Sequence, residues 1–328
     1  MAGSSVEADE RSAADEAHER RWRTIRRRAV VGYALVLVIF IVTVGVPEDR
    51  EGLLLWILAA LGIRCLGRGW ASFRRVLIDW LPFTAVLIAY DYTRGIADNL
   101  GIATHVIEPA HADMWLFHGV LPTYWLQQHL FVPGHPRWYD AVVTLVYTSH
   151  FLVTPIAAVI LWVRNRQRWV GFITRIIVLS LAGLLTYVLY PMAPPWYAAR
   201  AGLIEPVRRI SSVGWQVLGL NHAGSVLAGA QASVNAVAAM PSLHTATATL
   251  IALYFIPRAP WWGKILLACY PLLMGLALVY SGEHYVLDLL FGYVYAVVVM
   301  VVVGAGERWW AGRRRHRQTL SPGAVSQS

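Results

Sequence analysis

The sequence predicts an all-α, polytopic membrane protein with about eight transmembrane helices. Three observations predict it. Only 14% of the 328 residues are charged and 57% are apolar, whereas soluble domains carry about 25% charged residues. The charges gather in short clusters separated by long stretches that hold almost none. The basic clusters also fall preferentially on one side of the successive apolar runs, as the positive-inside rule requires. The same composition excludes a disordered chain, a coiled coil and a disulfide scaffold.

Residues 1–28 are polar, acidic at first and then rich in arginine (Arg20, Arg21, Arg23, Arg26, Arg27 and Arg28), and read as a disordered, basic cytoplasmic tail. The apolar run 29–46 is followed by Pro47-Glu48-Asp49-Arg50-Glu51, not by small residues that would mark cleavage, so it reads as a retained span. A helix needs about 20 residues at 1.5 Å each to cross the hydrocarbon layer. By that measure the candidate spans are 29–46, 52–67, 76–96, 139–163, 170–190, 241–257, 262–280 and 284–305, the second being the shortest because its clean apolar run stops at Ile63. Residues 29–67 thus form an N-terminal pair, 68–305 a six-helix domain, and 306–328 a second disordered basic cytoplasmic tail. Cys65 and Cys269 lack ligand-like spacing and read as small core hydrophobes.

Lys264 is the sole lysine among 28 basic residues. With the N-terminus in the cytoplasm, 22 of the 28 lie on inner segments, leaving Arg50, Arg94, Arg137, Arg200, Arg208 and Arg209 outside. This bias predicts a multi-pass protein of the cell membrane with both termini cytoplasmic, and it places loops 97–138 and 191–240 on the extracytoplasmic side. The net charge of +9 is thereby read as topology, with no nucleic-acid partner. Abundant arginine with scarce lysine suggests a GC-rich, bacterial genome. The first outer loop mixes Trp115, Leu116, Phe117, Trp125 and Leu126 with polar residues, which suits a short helix in the headgroup layer.

Ionisable groups at or within a membrane are costly and mark candidate sites. Met240-Pro241-Ser242-Leu243-His244 opens the sixth span; proline followed by serine is a helix start, whose free N–H groups and partial positive charge suit a phosphate. Gly282-Glu283-His284-Tyr285-Val286-Leu287-Asp288 opens the eighth. His284 and Asp288, four apart, share a helix face, and a carboxylate on one imidazole nitrogen leaves the other to attack. Each has an ordinary structural reading, a helix cap for His244 and a structural hydrogen bond for the pair. Their common position at outer span ends favours chemistry. His150 lies mid-span and needs a partner, and Asp79 suits interior pairing or a helix start. His105, His111, His118, His129 and His135 crowd the first outer loop in no recognised ligand spacing, and Glu283-His284 does not build a His-Glu-x-x-His zinc helix.

Met-Pro-Ser-Leu-His at 240–244 and Gly-Glu-His-Tyr-x-x-Asp at 282–288 resemble the second and third signature motifs of the type 2 phosphatidic acid phosphatase superfamily. They look closest to its inositol phosphorylceramide synthase-like branch. Tyr190-Pro191-Met192-Ala193-Pro194-Pro195-Trp196 and Asp91-Tyr92-Thr93-Arg94-Gly95 are similar to earlier elements of that branch, so the resemblance covers roughly 76–305. It implies a six-helix phosphatase-type bundle and a metal-free, cofactor-free reaction. His284 would be the nucleophile forming a phosphohistidine, Asp288 its orienting partner, His244 the proton donor and acceptor, and Ser242 a phosphate ligand. His150, Tyr285 and Trp196 would surround them.

The sequence departs from the wider superfamily in one respect that matters. Those phosphatases carry Ser-Arg before the third motif, with arginine six residues ahead of its histidine; here Leu278 holds that position, Gly282 follows Ser281, and the early Lys-x6-Arg-Pro motif is unrecognisable. Arg94 and Arg200 are the candidate substitutes as phosphate ligands, each with an equally good reading as a helix-end anchor or loop ion pair. The expected substrate is a membrane lipid phosphate, phosphodiester or pyrophosphate at the extracytoplasmic face. Water as acceptor gives a phosphatase; a polar alcohol gives a headgroup transferase, which the branch resemblance slightly favours. A non-catalytic bundle or transporter is the alternative, and oligomeric state is left open.

Overall fold

A computed structural model of the chain describes residues 3–44, 50–97, 102–220 and 238–319. Among the described residues it is all-α, with α1 (Gly3–Thr43), α2 (Arg50–Cys65), α3 (Trp70–Ala97), α4 (Glu108–Leu116), α5 (Pro122–Leu130), α6 (Trp138–Arg164), α7 (Arg166–Leu189), α8 (Pro195–Arg200), α9 (Gly214–Val217), α10 (Leu243–Phe255), a 3-10 turn (Ile256–Arg258), α11 (Trp261–Tyr280) and α12 (Val286–Thr319). Four of them are long and apolar enough to cross a membrane: Trp138–Arg164, Arg166–Leu189, Trp261–Tyr280 and Val286–Arg314. They expose Leu181, Leu185, Leu189, Leu272, Leu276, Val294, Val298 and Val301, a surface that water penalises and lipid does not. The protein is an all-α membrane protein.

A helix overlies every expected span, with two differences at the edges. Residues 3–28, expected as a disordered tail, continue α1. Alanine, glutamate and arginine are good helix formers, and Glu16–Arg20 at 3.5 Å and Glu19–Arg23 at 4.0 Å add weak i,i+4 support. Likewise α12 runs on to Thr319, and 320–328 lie outside the described residues. The sixth candidate, 241–257, is a helix of only 13 residues. Proline bounds it on both sides, Pro241 before and Pro257 in the 3-10 turn after.

The described residues form two compact units, one of residues up to 89 with 218–220 and the other of residues 90–217 with 238–319. In the first, α1 packs on α2: Tyr33 donates to the Trp56 carbonyl at 3.1 Å, Tyr33 and Phe40 meet the Trp56 ring edge-on, and Arg26 donates to the Leu66 carbonyl at 2.8 Å. In the second, α10 is the central helix, packed against α6, α7, α11 and α12. Ala246, Ala248, Leu250, Ile251 and Ala252 are all buried; alternating small side chains let the neighbours approach closely. At the opposite end of this bundle from its sites, Arg175 of α7 makes a two-point ion pair with Glu307 of α12, 2.8 Å at each nitrogen.

Over the starts of α10 and α12 lies a cap made of α4, α5 and the segment 190–215. Pro109 and Pro122 begin the two cap helices, so loop 97–138 forms two short helices where the sequence predicts one. Ala110, Leu121, Met192, Val207, Ala239 and Tyr285 form the cap's apolar core. Gln127 ties it to the bundle, donating to the carbonyls of Arg208 (2.8 Å) and Tyr280 (2.9 Å) and accepting from the Arg208 N–H (2.9 Å). From α6, Thr144 donates to the Ser211 carbonyl at 2.8 Å, and Asp140 accepts from the Tyr280 hydroxyl at 2.7 Å.

Candidate active site

Ser242 is the N-cap of α10 and accepts from the Thr245 N–H at 3.4 Å. Tyr187 of α7 fixes the chain just before it by donating to the Pro241 carbonyl at 2.8 Å, and the Met240–Pro241 peptide is cis. The Ser242 N–H donates in turn to the carbonyl of Asp288 at 3.1 Å, joining the start of α10 to the start of α12. Gly292 makes the join sterically feasible: a Cβ there would stand 2.7 Å from the Ser242 carbonyl oxygen.

The turn 281–284 is held from three sides. Its carbonyls at Ser281 and Gly282 accept from Ile210 (3.0 Å) and Trp196 (3.2 Å), and the Glu283 N–H returns to Leu278 at 3.0 Å. Gly282 has φ +78°, and a Cβ there would meet the Arg208 carbonyl at 2.6 Å, so the position demands glycine on both counts. His284 follows. Its Nδ1 lies 3.2 Å from Oδ2 of Asp288, which also accepts the Tyr285 N–H at 3.0 Å. An ionised carboxylate only accepts, so this contact with Asp288 as a carboxylate calls for the proton on Nδ1. Asp288 is fully buried, and its Oδ1 has no hydrogen-bond partner among the described residues.

The His244 ring faces that of His284, with centroids 6.0 Å apart at 61°. It is packed between Tyr147 (5.1 Å, stacked), His150 (4.2 Å) and Phe151 (5.8 Å, edge-on), all from α6. The two motif histidines therefore face each other, and His150 touches one of them. Tyr285 is fully buried in the apolar core of the cap; its hydroxyl has no hydrogen-bond partner among the described residues.

Among the described residues, Arg209 brings a cation beside these groups. Its Nε lies 2.8 Å from Oε1 of Glu283, which also accepts from the Ser211 hydroxyl at 2.6 Å. Its guanidinium lies 5.0 Å from the centre of the Trp196 ring, and it shares a hydrogen bond with Tyr147, the residue stacked on His244. Burial works against its charge, and Glu283 and Tyr147 more than restore it, so its pKa sits above the ordinary arginine value. The helix-end partial charge of α10 adds to this local positive field.

Of the residues singled out in the sequence, His244, His284, Asp288, Ser242, His150, Tyr285 and Trp196 come together. Arg200 lies exposed at the end of α8, with no ion pair to either motif among the described residues. Arg94 belongs to α3, but its side chain lies outside the described residues. Sequence reasoning passed over Arg209 and Glu283. A signal for the first existed: the Arg208-Arg209 doublet falls in a segment that the arginine bias would place outside, where arginine is otherwise scarce. Among the outer-loop histidines, His105 pairs with Glu108 at 3.1 Å and stacks on Tyr190 at 3.9 Å. No group of three or more potential metal ligands gathers among the described residues.

A membrane-embedded helical bundle with two facing histidines, one held by a buried aspartate, is the class that fold and site define. Residues 112–302 match the PAP2 superfamily, and the chain belongs to it. It is 27% identical over 236 residues to a phosphoinositol dihydroceramide synthase of Bacteroides thetaiotaomicron, covering 67% of this chain and 73% of that protein. It is also 31% identical over 70 residues to sphingosine-1-phosphate phosphatase 1 of Mus musculus, covering 19% of this chain and 16% of that protein. No solved structure matches significantly.

Proposed function

We propose that the chain is a lipid phosphatase or phosphotransferase that acts through a phosphohistidine on His284. The observation that carries this reading is the 3.2 Å contact between His284 Nδ1 and the buried Asp288, with the His244 ring opposite. Nε2 of His284 attacks the phosphorus of a lipid phosphate or phosphodiester as the bond to the leaving oxygen breaks. Protonated His244 gives that oxygen its proton. Asp288 stabilises the imidazolium character that His284 acquires. In the second half, His244 takes a proton from the incoming hydroxyl, whose oxygen forms the new P–O bond as the P–N bond breaks.

Charge on the phosphoryl oxygens needs cationic and N–H partners. Ser242 with the first turn of α10, and Arg209 shared with Glu283, are the groups assigned here, with Arg94 and Arg200 as outlying candidates. The acceptor is water or an alcohol. The longer match to a phosphoinositol-lipid synthase than to a lipid phosphatase favours transfer of an inositol-phosphate-type headgroup. The arginine bias supports an extracytoplasmic site, cytoplasmic termini and eight crossings, and a reporter fused at residue 225 that stays cytoplasmic would overturn that orientation. The reaction requires no metal, so turnover in strong chelator is expected.

The test is turnover of a panel of lipid phosphates and phosphoinositol lipids, with and without a lipid alcohol, by purified wild type and His284→Ala in detergent. Product from wild type alone supports the reading. Equal turnover by both proteins overturns it.

A further inference from the structure

The residue preceding α12 offers no side-chain acceptor to the helix's first N–H groups. The residues before Val286 are His284 and Tyr285, neither of them a capping type, and the first N–H groups of a helix have no partner within it. Asp113, on α4 and 173 positions earlier, fills the place. Its Oδ2 accepts from the Val286 N–H at 2.8 Å and its Oδ1 from the Leu287 N–H at 2.9 Å. The Tyr285 N–H goes to Asp288 at 3.0 Å. Two buried carboxylates thus divide three consecutive N–H groups between them, and one of the two also holds His284.

We propose that Asp113 is a positioning residue for the reaction at His284, fixing the first turn of α12 and with it the His284–Asp288 contact. This makes the cap helix α4 part of the catalytic apparatus and rests on the reading of His284 as nucleophile. An uncharged residue could close a helix start without burying a second carboxylate beside Asp288. Asp113 is itself fully buried, and its titratable neighbours, Asp288 and Tyr285, bring no positive charge to relieve it. Burial above all, with Asp288 adding repulsion against the pull of the two N–H groups, pushes its pKa up to about 6. A group kept ionised at such a place despite that environment suits function better than stability.

Asp113→Asn tests this in the full-length protein. Asparagine keeps the volume but has one acceptor oxygen, so one of the two N–H groups faces an NH2. The expected result is a kcat lower by about 10²-fold, the scale of a misplaced reacting group, with KM within about threefold and thermal stability at neutral pH no lower than wild type. Asp113→Ala should follow the same direction with a larger loss. In an Asp288→Asn background, Asp113→Asn should add little, because both act on one turn. A stable Asp113→Asn protein with wild-type kcat overturns the proposal, as does a kcat loss that simply tracks lost folding.

A readout without substrate separates this from the functional reading. In 15N-histidine NMR, assigned with His284→Ala, the Nδ1–H proton of His284 should exchange at least about tenfold faster in Asp113→Asn. Unchanged exchange overturns the positioning role whatever the substrate proves to be. Inactive His284→Ala together with normal Asp113→Asn would remove this inference and leave the functional reading standing.

Discussion

Acid should stabilise this protein through one residue, and the size of the effect follows from the burial of Asp113. Its pKa rises from the ordinary 3.8 to about 6 on folding. The folded state therefore binds the proton more tightly than the unfolded chain. The extra stability is fully present below about pH 4 and is lost as pH rises through about 6. The limiting value is about 3 kcal/mol, at about 1.36 kcal/mol per pH unit of difference. Between pH 7 and pH 5 the gain is about 1.3 kcal/mol, enough to move a melting midpoint by roughly 2 °C. Protonation also removes one acceptor from the α12 start, so stability and turnover should part company: on acidification the first rises as the second falls. The assay is tryptophan-fluorescence melting of wild type and Asp113→Asn from pH 4.5 to 8 in one detergent, taking the difference so that other titrations cancel. A flat difference would refute the reasoning, and a wild type selectively destabilised by acid would reverse its sign.

Three further outcomes follow from the site. His244→Ala should lower turnover by about 10²–10⁴-fold, the range of a lost proton donor, and an amine or imidazole added to the assay should restore part of it; single-turnover kinetics read both. Arg209→Ala should raise KM for lipid phosphate and lower kcat, with Arg209→Lys restoring charge but not the contacts to both Glu283 and Trp196; wild-type kinetics in the alanine variant would dismiss Arg209 as a phosphate partner. Gly282→Ala must place a methyl 2.6 Å from the Arg208 carbonyl at φ +78°, so loss of activity together with a melting midpoint lowered by several degrees is expected, and a neutral substitution would show the turn to be less constrained.

What could be read from the sequence was local. Apolar length is a property of contiguous residues, so a helix lies over each of the eight runs. The prolines at 241 and 257 that cut α10 to 13 residues were also visible, but their consequence depends on neighbours that bury the helix on all sides. The His284–Asp288 pair was legible because i and i+4 meet within one helix. The expectation that His244 and His284 lie together rests on the arginine bias and a motif resemblance, and Gly292 supplies the close approach that spacing alone could not show. Arg209 and Asp113 act on Glu283 and on the α12 start from 74 and 173 positions away. No periodicity encodes such contacts. Arg200, attractive because the arginine bias would place it outside, sits exposed at the end of α8. The charge of residues 1–28 predicts a disordered tail, although the composition of 3–28 also suits the helix they form.

The most direct test of the account is chemical trapping of the intermediate. Purified wild type would be mixed for milliseconds with a lipid substrate carrying a labelled phosphoryl group, then quenched in base, which preserves a phosphoramidate, and mapped by peptide analysis. Label is expected on the peptide bearing His284, absent from His284→Ala and accumulating in His244→Ala if the second half-reaction is slowed more than the first. Label on another residue, or full turnover by His284→Ala, would contradict it.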